Sequence, residues 1–443
     1  MRPFGPASAP IGYLPWPVLS SSISHVPEQR SLASASVSGA VVGALVVTPL
    51  GTAPARGRAL AEPARVERGA VAWRDGRITF VGPAGDLPAD AGEPVVFSGA
   101  TVVPGFVDAH THLPFFGWRA DEFEARLSGV SYRELHGEGG GIPRSARMLA
   151  AADDESVLAF CRPLSREMAE LGTTTFETKT GYGLSVEAEL RQARLARRLG
   201  EQVEARTRLT LLVAHAVPEG ARRAEWIRVV CDELIPAAVA GALADAVDVY
   251  VEDIAFGVDD LDVVAEAAAR FGLPLRVHAD QLGGSGAAEA AARLGARSAD
   301  HLNHVSETGI EELAASQTIA VLLPASSFSV GIPPAPARGL IESGAAVAIA
   351  TDFNPGTSAV LSMPEAIAFA CSLYRLTPAE ALTAATLNAA AVLGIADRTG
   401  SLEVGKAADV VVLEGEGIAN VPYRPGHDPV IAAFVAGRRL EDR

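Results

Sequence analysis

Between residues 39 and 103, short apolar runs of β type alternate with Gly, Pro and Asp, a pattern that predicts strands and tight turns. Residues 69–82 place the dipeptide Asp75-Gly76 between two such runs, the signature of a hairpin. The same character returns over 400–413 and 432–440, so one small β-domain built from both ends of the chain is expected, with the middle inserted. From 103 to 400 the pattern becomes strand then helix, repeated, which predicts a parallel sheet. Strands are expected at about 103–109, 173–177, 208–214, 247–251, 274–278, 297–301, 318–323 and 346–351, and eight is the number that closes a barrel. Amphipathic runs rich in Ala and Arg, such as Val186 to Leu199 and Leu261 to Arg270, supply the outer helices. The first crossover, from Leu113 to about Ser145, is long and Gly-rich, which marks a lid or binding loop.

Composition narrows the function classes. With 443 residues and 49% hydrophobic content the chain can bury a large core. Its formal net charge of -16 and pI near 5.1 would repel nucleic acid and anionic membrane alike. No early apolar stretch approaches the ~20 residues of a membrane helix, and the longest, Ala40 to Val47, reads as a strand. Cys161, Cys231 and Cys371 are far apart and form no CxxC pair, so neither a disulfide framework nor a zinc ribbon is indicated and a reducing cytoplasm is expected. Residues 1–38, rich in Pro, Ser and Ala, read as a disordered extension or a misassigned start. The expected division is 1–38, then 39–103 and 401–443 as the two parts of the β-domain, with the barrel over 104–400.

Candidate chemistry gathers at the predicted strand ends. Residues two apart on a strand share a face, so His110 and His112 at the end of strand one project two imidazoles together. His215 follows strand three, His278 ends strand five, His301 ends strand six and Asp352 ends strand eight. Imidazoles with one carboxylate suit a borderline ion such as Zn(II) or Fe(II) better than Mg(II) or Ca(II). Such a set leaves a coordination position for water, whose pKa the ion lowers. His110, His112, His278 and Asp352 are assigned as ligands, with His301 and Asp352 placed to move protons. His304 rivals His301, but the strand-end position favours the first.

The run Val103-Pro104-Gly105-Phe106-Val107-Asp108-Ala109-His110-Thr111-His112 resembles the entry motif of the amidohydrolase superfamily. That resemblance implies a (β/α)8 TIM-like barrel with a small β-sandwich domain formed by the N- and C-terminal segments. Within the superfamily, residues 116–123, 139–142, 179–184, 214–218, 298–301 and 351–356 together are similar to the imidazolonepropionase family. The family hydrolyses 4-imidazolone-5-propanoate, a small cyclic amide of histidine degradation, to N-formimidoyl-glutamate, using one divalent metal ion, zinc or iron. The runner-up is another cyclic amidase or an aminohydrolase of the same superfamily.

The resemblance implies roles for further residues. Arg119 would clamp the propanoate through a bidentate guanidinium, and Tyr182 would donate its hydroxyl to the same group or to the ring. His215 would hydrogen-bond the ring carbonyl and stabilise the developing oxyanion. Asn354 and Gly356 would meet the ring edge through side chain and backbone. Gln281 stands where some members carry Glu, and an amide cannot act as a general base, so Gln281 would bind substrate and leave proton work to His301 and Asp352. The strand-four segment, residues 248–253, also lacks a cysteine found in many members. Lys179 is not assigned as the carboxylated lysine of binuclear members. The resemblance also implies a homodimer, for which the sequence itself carries no interface signature.

Overall fold

The first five strands are β1 Gly39–Thr48, β2 Ala64–Glu67, β3 Gly69–Arg74, β4 Arg77–Pro83 and β5 Val95–Pro104. The middle of the chain supplies β6 Phe106–Asp108, β7 Thr173–Lys179, β8 Arg206–Ala214, β9 Ala246–Val251, β10 Leu275–Ala279, β11 Ser298–His301, β12 Ile319–Leu322 and β13 Ala346–Ile349. The last three are β14 Val410–Leu413, β15 Val430–Val435 and β16 Arg438–Arg439. This computed structural model describes residues 38–131, 134–135 and 139–440, so all but the last residue of the expected extension 1–38 lies outside the described residues.

The terminal strands join in one mixed sheet, ordered β16-β15-β14-β5-β1-β3-β4 with β2 paired to β1. Its hairpin turns at Asp75 and Gly76, with φ of 53° and 72°, the left-handed pair that a two-residue turn of matching twist requires. Trp73 on β3 and Phe434 on β15 have ring centroids 5.2 Å apart, whereas four strand spacings in a flat sheet would separate them by roughly 19 Å. The sheet therefore curls over itself and encloses Val41, Val46, Val71, Ile78, Val102 and Val410. In this way one hydrogen-bonded sheet makes the two-faced packing expected of a sandwich.

The eight middle strands form a parallel sheet in sequence order, β6 to β13, and each falls where the hydrophobic pattern places a strand. First and last meet at the C-terminal mouth. The Asp352 N–H donates to the His110 carbonyl at 3.0 Å and the His112 N–H to the Phe353 carbonyl at 2.9 Å, beside a parallel bridge between Thr111 and Phe353. Barrel closure thus sets the register of three of the candidate ligands. The outer helices include Val186–Gly200, capped by the Ser185 side chain, and Val258–Arg270.

The first crossover is more ordered than its glycines suggest. Helix Ala120–Leu127 begins directly after Arg119, with Asp121 and Glu122 in its first turn, and helix Gly141–Ala151 follows. Residues 132–133 and 136–138 of that stretch lie outside the described residues. Among the described residues no helix is long and apolar enough to cross a membrane.

Candidate metal centre and substrate pocket

TIM-barrel interiors are commonly filled by branched apolar side chains. Here charge fills much of the space beneath the mouth. Arg276 on β10 donates to the Ala109 carbonyl at 2.7 Å, to Asp300 at 3.1 Å and to Ser298 Oγ at 3.0 Å, and its remaining nitrogen pairs with Glu177. Lys179 at the end of β7 places Nζ 2.7 Å from Asp248 and 2.9 Å from Glu177. All of these side chains are buried, and a buried charge is tolerated only when paired and hydrogen-bonded.

The carboxylates of this layer aim the imidazoles above it. His110 Nδ1 lies 2.6 Å from Asp300 and His278 Nδ1 lies 3.1 Å from Asp248. Each Nδ1–H therefore donates downward, an assignment made from the hydrogen-bond network, and each Nε2 lone pair points into the mouth. Both Nε2 atoms are buried without a hydrogen-bond partner. Asp352 Oδ1 sits 3.3 Å from His112 Nε2 and 3.6 Å from His110 Nε2. Lone pairs and a carboxylate converging at these distances are satisfied by a cation between them.

Among the described residues two groups could hold such an ion: His110, His112 and Asp352, and His110, His278 and His301, with the candidate ligand atoms of each group within 4.8 Å of one another. The four expected ligands are thus gathered around His110, and His301 comes as near as they do. Burial holds three of these imidazoles in the neutral form that binds metal: His112 and His301 are pushed down to about 3 and His110 well below its ordinary value, with Lys179 adding to the effect at His110. Burial would raise the Asp248 carboxyl, but His278 and Lys179 beside it hold it below the usual carboxylate range. Burial raises Asp352. His301 and Asp352 have φ of 81° and 56°, a left-handed conformation that costs a residue with a Cβ about 1–3 kcal/mol and tends to persist at functional sites.

Beside the cluster lies a narrow pocket lined by His112, Arg119, Ile142, Tyr182, His215, Tyr250, His278, Gln281, His301, Asp352, Asn354 and Thr357. Arg119 is 3% exposed, and its Nε and Nη1 are buried without hydrogen-bond partners. Glu122 approaches Nη1 only to 3.6 Å. The guanidinium lies flat on Gly356, where an added Cβ would sit 1.5 Å from Nη2, so only glycine fits beneath it. The Gly-Tyr-Gly turn that carries Tyr182 is held from the helix behind it. Glu189 accepts from the N–H groups of Gly181, Gly183 and Leu184 at 2.7–2.9 Å, and Gln192 accepts from the Tyr182 N–H at 3.0 Å.

Two side chains differ in use from the sequence expectation. His215 Nδ1 lies 3.0 Å from the Gly181 carbonyl and must donate to it, while burial keeps the ring neutral, so Nε2 accepts a hydrogen bond and cannot donate one to an oxyanion. Asn354 donates to the Asp352 carbonyl and Thr357 Oγ1 and accepts from the N–H groups of Gly356 and Thr357, at 2.6–2.9 Å. Its amide and the Gly356 N–H are therefore engaged in shaping the loop rather than free for a ring edge. Asp280, two residues past His278 and just beyond the end of β10, has a φ of 51° that breaks the strand alternation, and its carboxylate accepts from the N–H groups of Ser285 and Ala288 at 2.7 and 3.0 Å instead of lining the pocket. The pocket wall keeps Gln281, and His301 rather than His304 lines it.

Sequence reasoning passed over Tyr250, Thr357 and Ile142 in the wall, and Asp248, Asp300 and Glu177 beneath it. A usable signal existed: Asp248 and Tyr250 alternate on β9, and Glu177 sits in a strand whose seven residues are all buried. A charge inside a fully buried strand faces either a partner or a ligand.

Comparison with known proteins supplies the lineage. The profile described as Amidohydrolase family matches residues 101–440. Imidazolonepropionase of Deinococcus radiodurans is 43% identical over 387 residues, covering 87% of this chain and 96% of the relative. That of Rubrobacter xylanophilus is 43% identical over 400 residues, covering 89% and 96%. Among solved structures, a zinc-bound adenosine deaminase from Xanthomonas campestris superposes with a TM-score of 0.67 at 22% identity, over 90% of this chain and 92% of its own. Guanine deaminase of C. acetobutylicum gives 0.67 at 15% identity, over 91% and 100%, and at such identities these two likenesses speak for the fold alone. Identity sustained over nearly the whole length of the relatives decides the finer placement: the chain belongs to the imidazolonepropionase family of amidohydrolases.

Proposed function

We propose that this protein adds water to 4-imidazolone-5-propanoate and opens the cyclic amide to N-formimidoyl-glutamate, with one divalent ion, Zn(II) or Fe(II), held by His110, His112, His278 and Asp352. The observation that carries the choice of substrate is Arg119. Its buried guanidinium, with two nitrogens lacking hydrogen-bond partners and Glu122 no nearer than 3.6 Å, opens onto the same pocket as the imidazole cluster. Leaving such donors unmatched in a dry site is costly, and a carboxylate pays for it with two parallel charge-assisted hydrogen bonds.

Each residue then has a task on the substrate. Arg119 takes the propanoate and fixes the distance of the ring from the mouth, and the Tyr182 hydroxyl closes over the same group. His215, with Nδ1–H committed to Gly181, accepts from a ring N–H and so selects the face presented for attack. Gln281 offers its amide to the ring. A divalent ion held by His110, His112, His278 and Asp352 would lower the pKa of a water and polarise the ring carbonyl. Asp352, raised by burial, accepts the proton released as water adds to the carbonyl carbon. Asp352 then hands that proton on, through His301 beside it, to the ring nitrogen as the C–N bond breaks, leaving a carboxylate on carbon and the formimidoyl group on nitrogen.

The test is product analysis with purified, metal-loaded protein. N-Formimidoyl-glutamate should form, and an imidazolone bearing a neutral side chain should react far more slowly through a raised KM. Equal rates on the two compounds would remove Arg119 from substrate recognition and favour the other heterocycle hydrolases of the superfamily.

A further inference from the structure

Lys179 is fully buried at the end of β7, inside the barrel, and nothing in the proposed reaction uses it. Its ammonium lies 2.7 Å from Asp248, 2.9 Å from Glu177 and 3.9 Å from Asp300. Asp248 is the carboxylate behind His278, and Asp300 is the carboxylate behind His110. One cation therefore bridges the two groups that orient two separate imidazoles. The formal charges of the groups in mutual contact here and at the mouth are four carboxylates, Glu177, Asp248, Asp300 and Asp352, against Lys179 and Arg276. One divalent ion balances that set, and a second would leave a buried surplus of positive charge. Asp108, whose carboxylate accepts from Thr351 and from the His110 N–H at 3.4 Å, enters none of the ion pairs of this set.

We infer that Lys179 is a positioning residue of the metal centre, a tethered cation that locks Asp248 and Asp300 behind His278 and His110 and limits the site to one ion. This rests on the reading that these imidazoles hold a metal. A flexible imidazole loses both the direction of its lone pair and its preferred tautomer when the acceptor behind it moves. Lys179 acts two bonds removed from the ion, so it touches neither substrate nor ligand atom.

The experiment compares Lys179→Met, Lys179→Arg and the charge-compensated double variant Lys179→Gln/Glu177→Gln with the unmodified protein, each titrated with Co(II) and read by its visible spectrum, bound-metal stoichiometry and steady-state kinetics. The unmodified protein should saturate at one ion. Lys179→Met should shift the Co(II) bands, bind beyond one equivalent, and lower kcat at least tenfold with KM little changed, because the Arg119 clamp is untouched. Lys179→Arg should recover part of the spectrum. If Lys179→Met does not fold, the double variant decides the matter, since it keeps the net charge of the interior. A perturbed spectrum with low kcat in that variant supports positioning, and an unmodified spectrum with full kcat reduces Lys179 to a charge partner and overturns the inference. A Lys179→Met protein with unaltered spectrum, stoichiometry and kcat overturns it as well, and so does a second ion in the unmodified protein. A failure of the metal reading itself would look different, because the unmodified protein would then take up no Co(II).

Discussion

The curled terminal sheet and the barrel interior are both sealed from water, yet they are filled by opposite means. The sheet encloses Val41, Val46, Val71, Trp73, Ile78 and Phe434, apolar groups whose burial stabilises by the area withdrawn from water. The barrel encloses Glu177, Lys179, Asp248, Arg276 and Asp300, whose burial is tolerated through mutual pairing. The first filling needs only shape and tolerates modest change. The second needs each partner, and in return it points lone pairs in fixed directions. The apolar region holds the chain ends together, and the polar region prepares a binding site.

That contrast can be broken or sharpened by substitution. The largest expected effect is at the mouth: His278→Ala should abolish both bound metal and turnover, measured by metal analysis and rate, and retained metal with a normal rate would refute the ligand assignment. Next comes the charged layer, where Arg276→Met takes from Glu177 and Asp300 the guanidinium they share, leaving Lys179 as the one cation among the described residues in contact with both, and should cost about 3–5 kcal/mol in urea unfolding. If it costs less than an apolar truncation in the sheet, the pairing is not what holds the interior. Arg119→Ala should raise KM about 10–100-fold with kcat little changed, the equivalent of losing a charged hydrogen-bond pair. Asp300→Asn preserves an acceptor for the His110 Nδ1–H and should weaken metal affinity about 10–100-fold while the fold survives, which competition with a chelator would read. The smallest effect belongs to the sheet, where Ile78→Val should cost about 0.5–1.5 kcal/mol and leave metal content and kinetics unchanged.

The same contrast explains what could be read from the sequence. Short apolar runs bounded by Gly, Pro and Asp, together with the Asp75-Gly76 turn, announce the terminal strands because their packing is apolar and their turns are tight. The eight barrel strands and the histidines at their ends are legible because parallel strands bury continuous short runs and active sites of this fold collect at one rim. Helix Ala120–Leu127 was hidden by its glycine-rich surroundings and its two adjacent acids, which read as loop until a fixed Arg119 precedes them. The role of His215 was hidden for a different reason. Which nitrogen is free depends on the Gly181 carbonyl, 34 residues away and brought close only by the pairing of β7 with β8. Asn354 likewise gives no sign in sequence that all of its hydrogen-bonding capacity is used by its own loop.

The central claim is that a single ion at the barrel mouth makes this pocket hydrolytic toward an anionic imidazolone. It is tested most directly by following the loss of 4-imidazolone-5-propanoate spectrophotometrically in purified protein before chelation, after chelation, and after return of one equivalent of Zn(II) or Fe(II). Turnover should vanish with the chelator and return in full at one equivalent. Turnover that survives complete removal of metal, or that never appears in protein carrying one ion per chain, would contradict the account.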